Sequence, residues 1–127
     1  MSPNKEELAA SEVGRLIAAD KVQGTEVYGR GGESLGKIEN VMIDKPSGKV
    51  AYAVMSFGGI LGMGKDRHAL PWGVLTYDPS LGGYVMNIDR ERLEGAPAYS
   101  DSPDFNWEDN DWGRRLHEYY DVPPTWR

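Results

Sequence analysis

The chain has no cysteine, and this absence removes several kinds of chemistry at once. Its 127 residues include two histidines, His68 and His117, and no cysteine. Disulfide bonds, thiol nucleophiles and cysteine-ligated metal centres are therefore excluded. Zinc sites need three or four converging ligands, and neither histidine has a second ligand at a standard spacing. We therefore expect no metal and no cofactor.

Long hydrophobic stretches are also missing. The longest run without a charged residue, Val50–Gly64, contains four glycines in its second half and is shorter than the roughly 17 residues of a membrane helix. The segment Met1–Glu7 has no basic start followed by an apolar stretch, which argues against a signal peptide. Together with the lack of cysteine, these features predict a cytoplasmic protein without membrane insertion.

Positive charge is in the minority. The chain has 20 acidic and 14 basic residues, for a net charge of −6, and the basic residues are scattered. Phosphate backbones repel such a surface, so we expect no direct binding of nucleic acid.

Glycine and proline are frequent, with 16 and 8 copies, and they separate short apolar runs that are typical of strands. The apolar phase shifts at Glu39-Asn40, which predicts a β-bulge. The run Lys49–Phe57 is apolar on both faces, which predicts a central strand. The predicted strands are Thr25–Tyr28, Ser34–Asp44, Lys49–Phe57, Arg67–Leu70, Thr76–Tyr77 and Tyr84–Ile88. Asp89 is predicted to cap a short helix that follows them.

Several longer segments resemble a bacterial branch of the PRC-barrel family. They are Leu16–Gly24 (LIAADKVQG), Val27–Asp44, Val50–Gly64, Ala69–Trp72 (ALPW) and Leu81–Tyr99, which ends in LEGAPAY. The resemblance implies a small, roughly six-stranded antiparallel barrel over residues 16–99. A flexible extension over residues 1–15 would precede the barrel. An aromatic and acidic tail over residues 100–127, with a short helix, would follow it.

The resemblance also implies a kind of function. The family includes the cytoplasmic domain of the photosynthetic reaction-centre H subunit and a domain of a ribosome-maturation factor, and both act by binding a larger assembly. It has no common set of catalytic residues, so none is carried over. The sequence shows no counterpart of the membrane helix of the first relative or of the second domain of the other, so we expect neither electron transfer nor ribosome assembly to follow directly from the resemblance.

The one phosphate-binding pattern in the sequence is incomplete. Gly59–Lys65 fits the phosphate-binding pattern G-x-x-x-x-G-K, but Asp66 stands where Ser or Thr would hold magnesium. A strand broken by Pro71 follows instead of a helix. We therefore interpret Gly58–Lys65 as a glycine-rich loop at the rim of the barrel. No carboxylate pair stands out, so we expect a protein without enzymatic activity.

The tail allows two interpretations. Trp112, Leu116 and Tyr119 share one helical face, and three of the four tryptophans lie in the last twenty-one residues. Either the aromatic residues pack on their own barrel or on a sister subunit, or the tail docks on another protein. The candidate interaction surface comprises Trp107, Trp112, Leu116, Tyr119 and Trp126.

These observations lead to three functional hypotheses. The first is a non-catalytic adaptor or assembly module that forms a homodimer and binds another protein. The second is a small-ligand-binding or catalytic barrel that uses the rim residues Gly59, Gly62, Gly64 and Trp72. The third is a ribosome- or RNA-associated assembly factor, against which the net charge argues.

Overall fold

The computed structural model describes residues 15–58, 65–100 and 103–126. Within these ranges the chain forms six strands, three helices and a 3₁₀ turn at Trp72–Val74. The strands are β1 (Glu26–Tyr28), β2 (Ser34–Ile43), β3 (Val50–Gly58), β4 (Lys65–Pro71), β5 (Thr76–Asp78) and β6 (Gly83–Val85). The helices are α1 (Ala19–Val22), α2 (Arg90–Glu94) and α3 (Asn110–Tyr120). The predicted flexible extension lies, apart from Arg15, outside the described residues.

The six strands form one mixed sheet in the order β4-β3-β2-β1-β6-β5. Neighbouring strands are antiparallel except β1 and β6, which run parallel with Val27 opposite Tyr84. The predicted fold class, mainly β with six strands and a C-terminal helix, is confirmed. The parallel pair is the one departure from a wholly antiparallel arrangement. In the described part of the chain β4 and β5 are the sheet edges, so hydrogen bonds do not close the sheet.

The predicted β-bulge in β2 is confirmed. The register of β2 against β3 shifts between Ile38 and Asn40, so Glu39 is the extra residue. Its carboxylate accepts a hydrogen bond at 2.8 Å from Nε of Arg67 on β4, so the bulge is tied to the far side of β3. Because a bulge bends its strand, it lets the sheet curl around its apolar face.

Strand β3 lies between β2 and β4 and is buried from Ala51 to Met55, as predicted for the central strand. Its side chains contribute to two apolar clusters. Ala53 and Met55 belong to the first cluster, and Ala51 and Tyr52 belong to the second.

The first cluster is the main core beneath the sheet. It contains Val22, Val27, Leu35, Ile38, Ala53, Met55, Leu70, Tyr84, Met86 and Leu93. The helix α2 contributes Leu93, which has no exposed surface. The predicted cap of α2 is confirmed, because an oxygen of Asp89 accepts a hydrogen bond at 2.9 Å from the backbone N–H of Arg92.

The second cluster joins the other face of the sheet to the tail. It contains Ala51, Tyr52, Ala69, Trp112 and Leu116. Among the described residues, no helix combines the length and the apolar character needed to cross a bilayer.

Candidate functional site

The tail folds back on its own sheet. Helix α3 begins after Asp109, whose carboxylate accepts hydrogen bonds from the backbone N–H groups of Asp111 and Trp112. The apolar side of α3 then reaches the second cluster, where Trp112 is 5% exposed and Leu116 is not exposed. The geometry therefore corresponds to the interpretation in which the aromatic residues pack on their own barrel.

Tyr52 is the centre of the aromatic contacts between sheet and tail. Its ring lies 5.5 Å from Trp107, 5.4 Å from Trp112, 5.6 Å from His117 and 5.2 Å from Trp126, measured between ring centroids. Tilted and edge-on aromatic pairs at these distances contribute beyond the area that they bury. The cluster therefore holds the tail against β3.

The last part of the tail is extended and is attached to the same strand. Helix α3 ends at Tyr120, and its C-cap Asp121 takes the left-handed conformation with φ of 56°. The prolines that follow, Pro123 and Pro124, cannot continue the helix. The Thr125 hydroxyl donates a hydrogen bond at 2.8 Å to the carbonyl oxygen of Val50, and this contact places Trp126 beside Tyr52.

An open groove remains between the tail and the β2–β3 turn, with a volume of about 1180 Å³. Aromatic rings of Tyr52, Trp107, His117 and Trp126 line it. One side is formed by the end of β2, where Ile43 is 53% exposed. Helix α3 and the extended segment after it form the other side. We call this space the aromatic groove.

The aromatic groove carries an excess of negative charge. It is lined by five acidic residues and two basic ones, which are Asp44, Glu108, Asp109, Glu118 and Asp121, and Lys45 and Arg114. Arg114 is already paired on α3, because it contacts carboxylate oxygens of Asp111 at 2.6 Å and Glu118 at 3.2 Å. Within the described residues, Glu108 and Asp121 form no ion pair. The groove therefore has unneutralised carboxylates at both ends of α3.

His117 lines the aromatic groove and contains a buried hydrogen-bond acceptor that no described residue uses. The residue is 8% exposed, and its Nδ1 lies 2.8 Å from the carbonyl oxygen of Gly113. A carbonyl oxygen only accepts, so Nδ1 is the protonated nitrogen and Nε2 of the neutral ring carries a lone pair. Among the described residues, Nε2 is buried without a hydrogen-bond partner. An unsatisfied buried acceptor destabilises a fold, and a donor from a ligand would remove that cost.

The five predicted surface residues do not form one surface. Trp107 and Trp126 line the aromatic groove, whereas Trp112 and Leu116 are buried beneath it. The indole N–H of Trp112 donates a hydrogen bond at 3.0 Å to the carbonyl oxygen of Ala98. These two buried residues are therefore closed to a partner in this conformation.

Tyr119 lies apart from the groove and is held by Arg92 of α2. The Arg92 guanidinium is 4.0 Å from the centre of the Tyr119 ring, and it donates a hydrogen bond to the backbone oxygen of Tyr119. The Tyr119 hydroxyl donates in return to the backbone oxygen of Arg92. This reciprocal contact fastens α3 to α2.

Of the predicted rim residues, Trp72 lies within the described part of the chain, and it does not line the aromatic groove. Gly59, Gly62 and Gly64 lie outside the described residues. Trp72 packs against the main core, with its ring edge-on to Tyr84 at 5.4 Å. In the described ranges no group of three or more His, Asp or Glu side chains is placed to hold a metal ion.

Two residues of the groove were not among the predicted site residues. The sequence predicts Tyr52 as a core residue of β3, and its alternation with Ala53 is the one signal that it faces the other side. The sequence offers no metal-binding role for His117, because it has no second ligand at a standard spacing. Its position one residue after Leu116 gave no indication that it would contact Tyr52, because that contact crosses 65 residues of chain.

The sequence pattern of the PRC-barrel domain family matches residues 15–93, which is more than half of the chain. Among solved structures, a similar chain comes from Pseudomonas aeruginosa and is named as a 16S ribosomal RNA processing protein, RimM. The two share 20% sequence identity with a TM-score of 0.40. The similarity covers 64% of this chain and 50% of the other, so this chain spans about half of that protein's length. No curated protein matches the chain.

Proposed function

Because the chain belongs to the PRC-barrel domain family, we propose that it is a non-catalytic module that binds a short segment of another protein in the aromatic groove. The observation that carries this proposal is the groove itself. It stays open although the tail has already covered the apolar face of the sheet.

The size and lining of the groove favour a protein segment. Its volume of about 1180 Å³ exceeds the range of roughly 300–1,000 Å³ that holds most small ligands. Tryptophan and tyrosine are enriched where protein surfaces bind partners, because their rings bury a large area with few rotatable bonds. Trp107, Trp126 and the neighbouring Ile43 supply such a surface beside the polar rim.

The absence of catalysis is part of the proposal. Hydrogen bonds lower the pKa of Asp78 and of Asp111, and neither carboxyl lines the aromatic groove. Thermal-shift measurements with a panel of metabolites test the alternative of a ligand-binding or catalytic barrel. A ligand that raises the melting temperature strongly would favour that alternative.

The ribosome- or RNA-associated alternative predicts that the chain binds RNA in a salt-dependent way. RNA binding through phosphate contacts weakens steeply as salt is raised, and the net charge of −6 opposes it. We expect no retention of ribosomal RNA by the purified chain at any salt concentration. Salt-sensitive retention would contradict the proposed function and favour the RNA-associated one.

A selection with random peptides tests the proposed function directly. A phage library of random short peptides is selected on the immobilised full-length chain, and the affinity of the enriched peptides is measured in solution. We expect the variant Trp126→Ala to lose about tenfold in affinity or more, because it removes an aromatic wall of the groove.

The matched control for this selection is Tyr77→Ala. Tyr77 is a partly exposed aromatic residue on the edge strand β5, and it does not line the groove. The variant Tyr77→Ala should leave the affinity for the enriched peptides unchanged. If no peptide is enriched, or if both variants bind as the parent does, the groove is not the binding surface.

Self-association is a separate part of the proposal. Exchange of tails between two copies would preserve every contact between tail and sheet, because each tail would meet an identical sheet. Sedimentation velocity over a range of concentrations checks this. A species of twice the 14.1 kDa chain mass would support it, and a monomer at all concentrations would contradict it.

A further inference from the structure

We infer that the protein segment bound in the aromatic groove inserts a lysine or arginine side chain between the rings, towards His117. This inference rests on the proposed function and names the chemistry of its partner. Three independent features of the groove favour a cationic side chain.

The first feature is the set of rings. Tyr52 and Trp126 lie 5.2 Å apart between centroids, and Trp107 lies 5.5 Å from Tyr52 on another side. The faces of tryptophan and tyrosine attract ammonium and guanidinium groups, and this attraction strengthens when the cation is desolvated. An aromatic groove of this kind binds a cation better than it binds a carboxylate.

The second feature is the unpartnered Nε2 of His117. Ammonium and guanidinium groups donate hydrogen bonds and accept none, so either one suits a buried lone pair. The two rings beside His117 are Tyr52 and Trp126. Tyr52 is 5% exposed and Trp126 is only half-buried, so the Trp126 ring is the one that moves to admit the side chain.

The third feature is the placement of acids at the end of α3. Glu118 lies in the last turn and Asp121 at the C-cap, where the negative end of the helix dipole disfavours carboxylates. Asp121 also has φ of 56°, a conformation that glycine or asparagine adopts more readily. The ion pair with Arg114 accounts for Glu118 on the helix, whereas helix stability does not explain Asp121 and attraction of a cation does.

The two basic residues of the groove do not reverse this preference. Arg114 is held by Asp111 and Glu118, so its charge is largely offset on α3. Lys45 stands on the β2–β3 turn beside Asp44, and the five acids still exceed the two bases by three.

The test uses a pair of variants at one exposed position. Ile43 is 53% exposed at the edge of the groove, so Ile43→Lys and Ile43→Glu remove the same apolar side chain and differ in the sign of the new charge. We expect the selected peptides to contain lysine or arginine. For such a peptide, I43K should bind about fivefold more weakly than I43E at low ionic strength, with a smaller difference at high salt.

A change in the peptide provides a second measurement that does not depend on variant folding. Replacement of the lysine or arginine of the selected peptide by glutamine should weaken its binding to the unaltered chain about tenfold. An unchanged affinity would overturn the inference.

The outcomes separate the inference from the proposed function. Enriched peptides that lack lysine and arginine, but lose affinity for Trp126→Ala, would overturn the inference and leave the proposed function in place. Equal affinities of I43K and I43E would also overturn the inference alone. If no peptide is enriched at all, both fail.

Discussion

Two polar residues of the tail, His117 and Asp121, are placed where the stability of the fold disfavours them. His117 has a buried acceptor without a partner among the described residues, and Asp121 combines a negative charge with a left-handed backbone at the negative end of the helix. Both residues line the aromatic groove. Departures from local rules of stability are expected at functional sites, so the groove is where we expect stability and binding to conflict.

A single substitution at Asp121 should separate the two effects. Asp121→Asn removes a charge that opposes the helix dipole and introduces a residue that tolerates positive φ. We expect the free energy of unfolding to rise by about 0.3–1 kcal/mol, while the affinity for a basic peptide falls about threefold. Urea denaturation and isothermal titration calorimetry measure the two quantities.

Glu108→Gln is the matched control for that variant. Glu108 also lines the groove, but it lies just before the N-terminus of α3, where a carboxylate stabilises the helix. Its replacement should weaken peptide binding by a similar factor and lower the stability slightly. Loss of stability in both variants would contradict the role assigned to the dipole.

At the scale of elements, local spacing accounts for what the sequence could predict. The bulge at Glu39 and the cap at Asp89 were predicted because each depends on neighbouring residues. The helical face of Trp112, Leu116 and Tyr119 was predicted in the same way. The structure then divides that face, since Tyr119 contacts Arg92 and the other two contact the sheet. Spacing along a helix does not specify which element each residue meets.

The direction of β6 was another feature that local patterns could not supply. A strand shows the same alternation of apolar residues whether its neighbour is parallel or antiparallel. The pairing of β6 with β1, with Tyr28 opposite Val85, depends on the path of the whole chain. The aromatic groove also depends on the path of the whole chain, because its rings come from β3 and from the tail.

The first turn of α3 should make stability depend on pH. The hydrogen bond from Arg114 holds the pKa of Asp111 below its usual value of 3.8, and the nearby Arg115 acts in the same direction. A carboxyl with a lowered folded-state pKa stabilises the fold above its unfolded pKa, and this contribution is lost as the pH falls through the folded pKa. Asp111→Asn should therefore melt below the parent at pH 7 and match it at a pH well below 3.8.

Thermal melts followed by circular dichroism across this pH range measure the difference. Glu94→Gln is the control, because Glu94 is exposed on α2 and forms no ion pair within the described residues. The melting temperature of Glu94→Gln should not fall below that of the parent at pH 7 and recover at acidic pH. A constant difference between Asp111→Asn and the parent at every pH would contradict the assigned ion pairs.

At the scale of the whole molecule, one sheet carries two apolar clusters and needs the tail to cover the second. Tyr52, Ala51 and Ala69 would face solvent without it. An exposed apolar patch of this kind promotes association with other proteins. Binding experiments should therefore use point variants in the full chain, because a chain without its tail would adsorb partners nonspecifically.

Removal of the tail should reduce stability and expose apolar surface. Burial of Leu116 alone contributes about 1.5–3 kcal/mol, and Trp112 adds a larger ring. We expect a chain that ends at Tyr99 to melt at a lower temperature and to bind the dye ANS. A chain that ends at Asp121 keeps α3 and should lose much less stability. Equal stability of the full chain and the chain ending at Tyr99 would contradict the role of the tail in the fold.

The four tryptophans provide the most direct test of the aromatic groove as a binding site. Trp107 and Trp126 line the groove, whereas Trp72 packs on the main core beside Tyr84. Each indole N–H gives its own signal in a ¹H–¹⁵N NMR spectrum, and single Trp→Phe variants assign the four signals. The measurement is a titration of the labelled full-length chain with a selected basic peptide. We expect the signals of Trp107 and Trp126 to shift while that of Trp72 stays in place. A shift of the Trp72 signal with no change in the two groove signals would contradict the account.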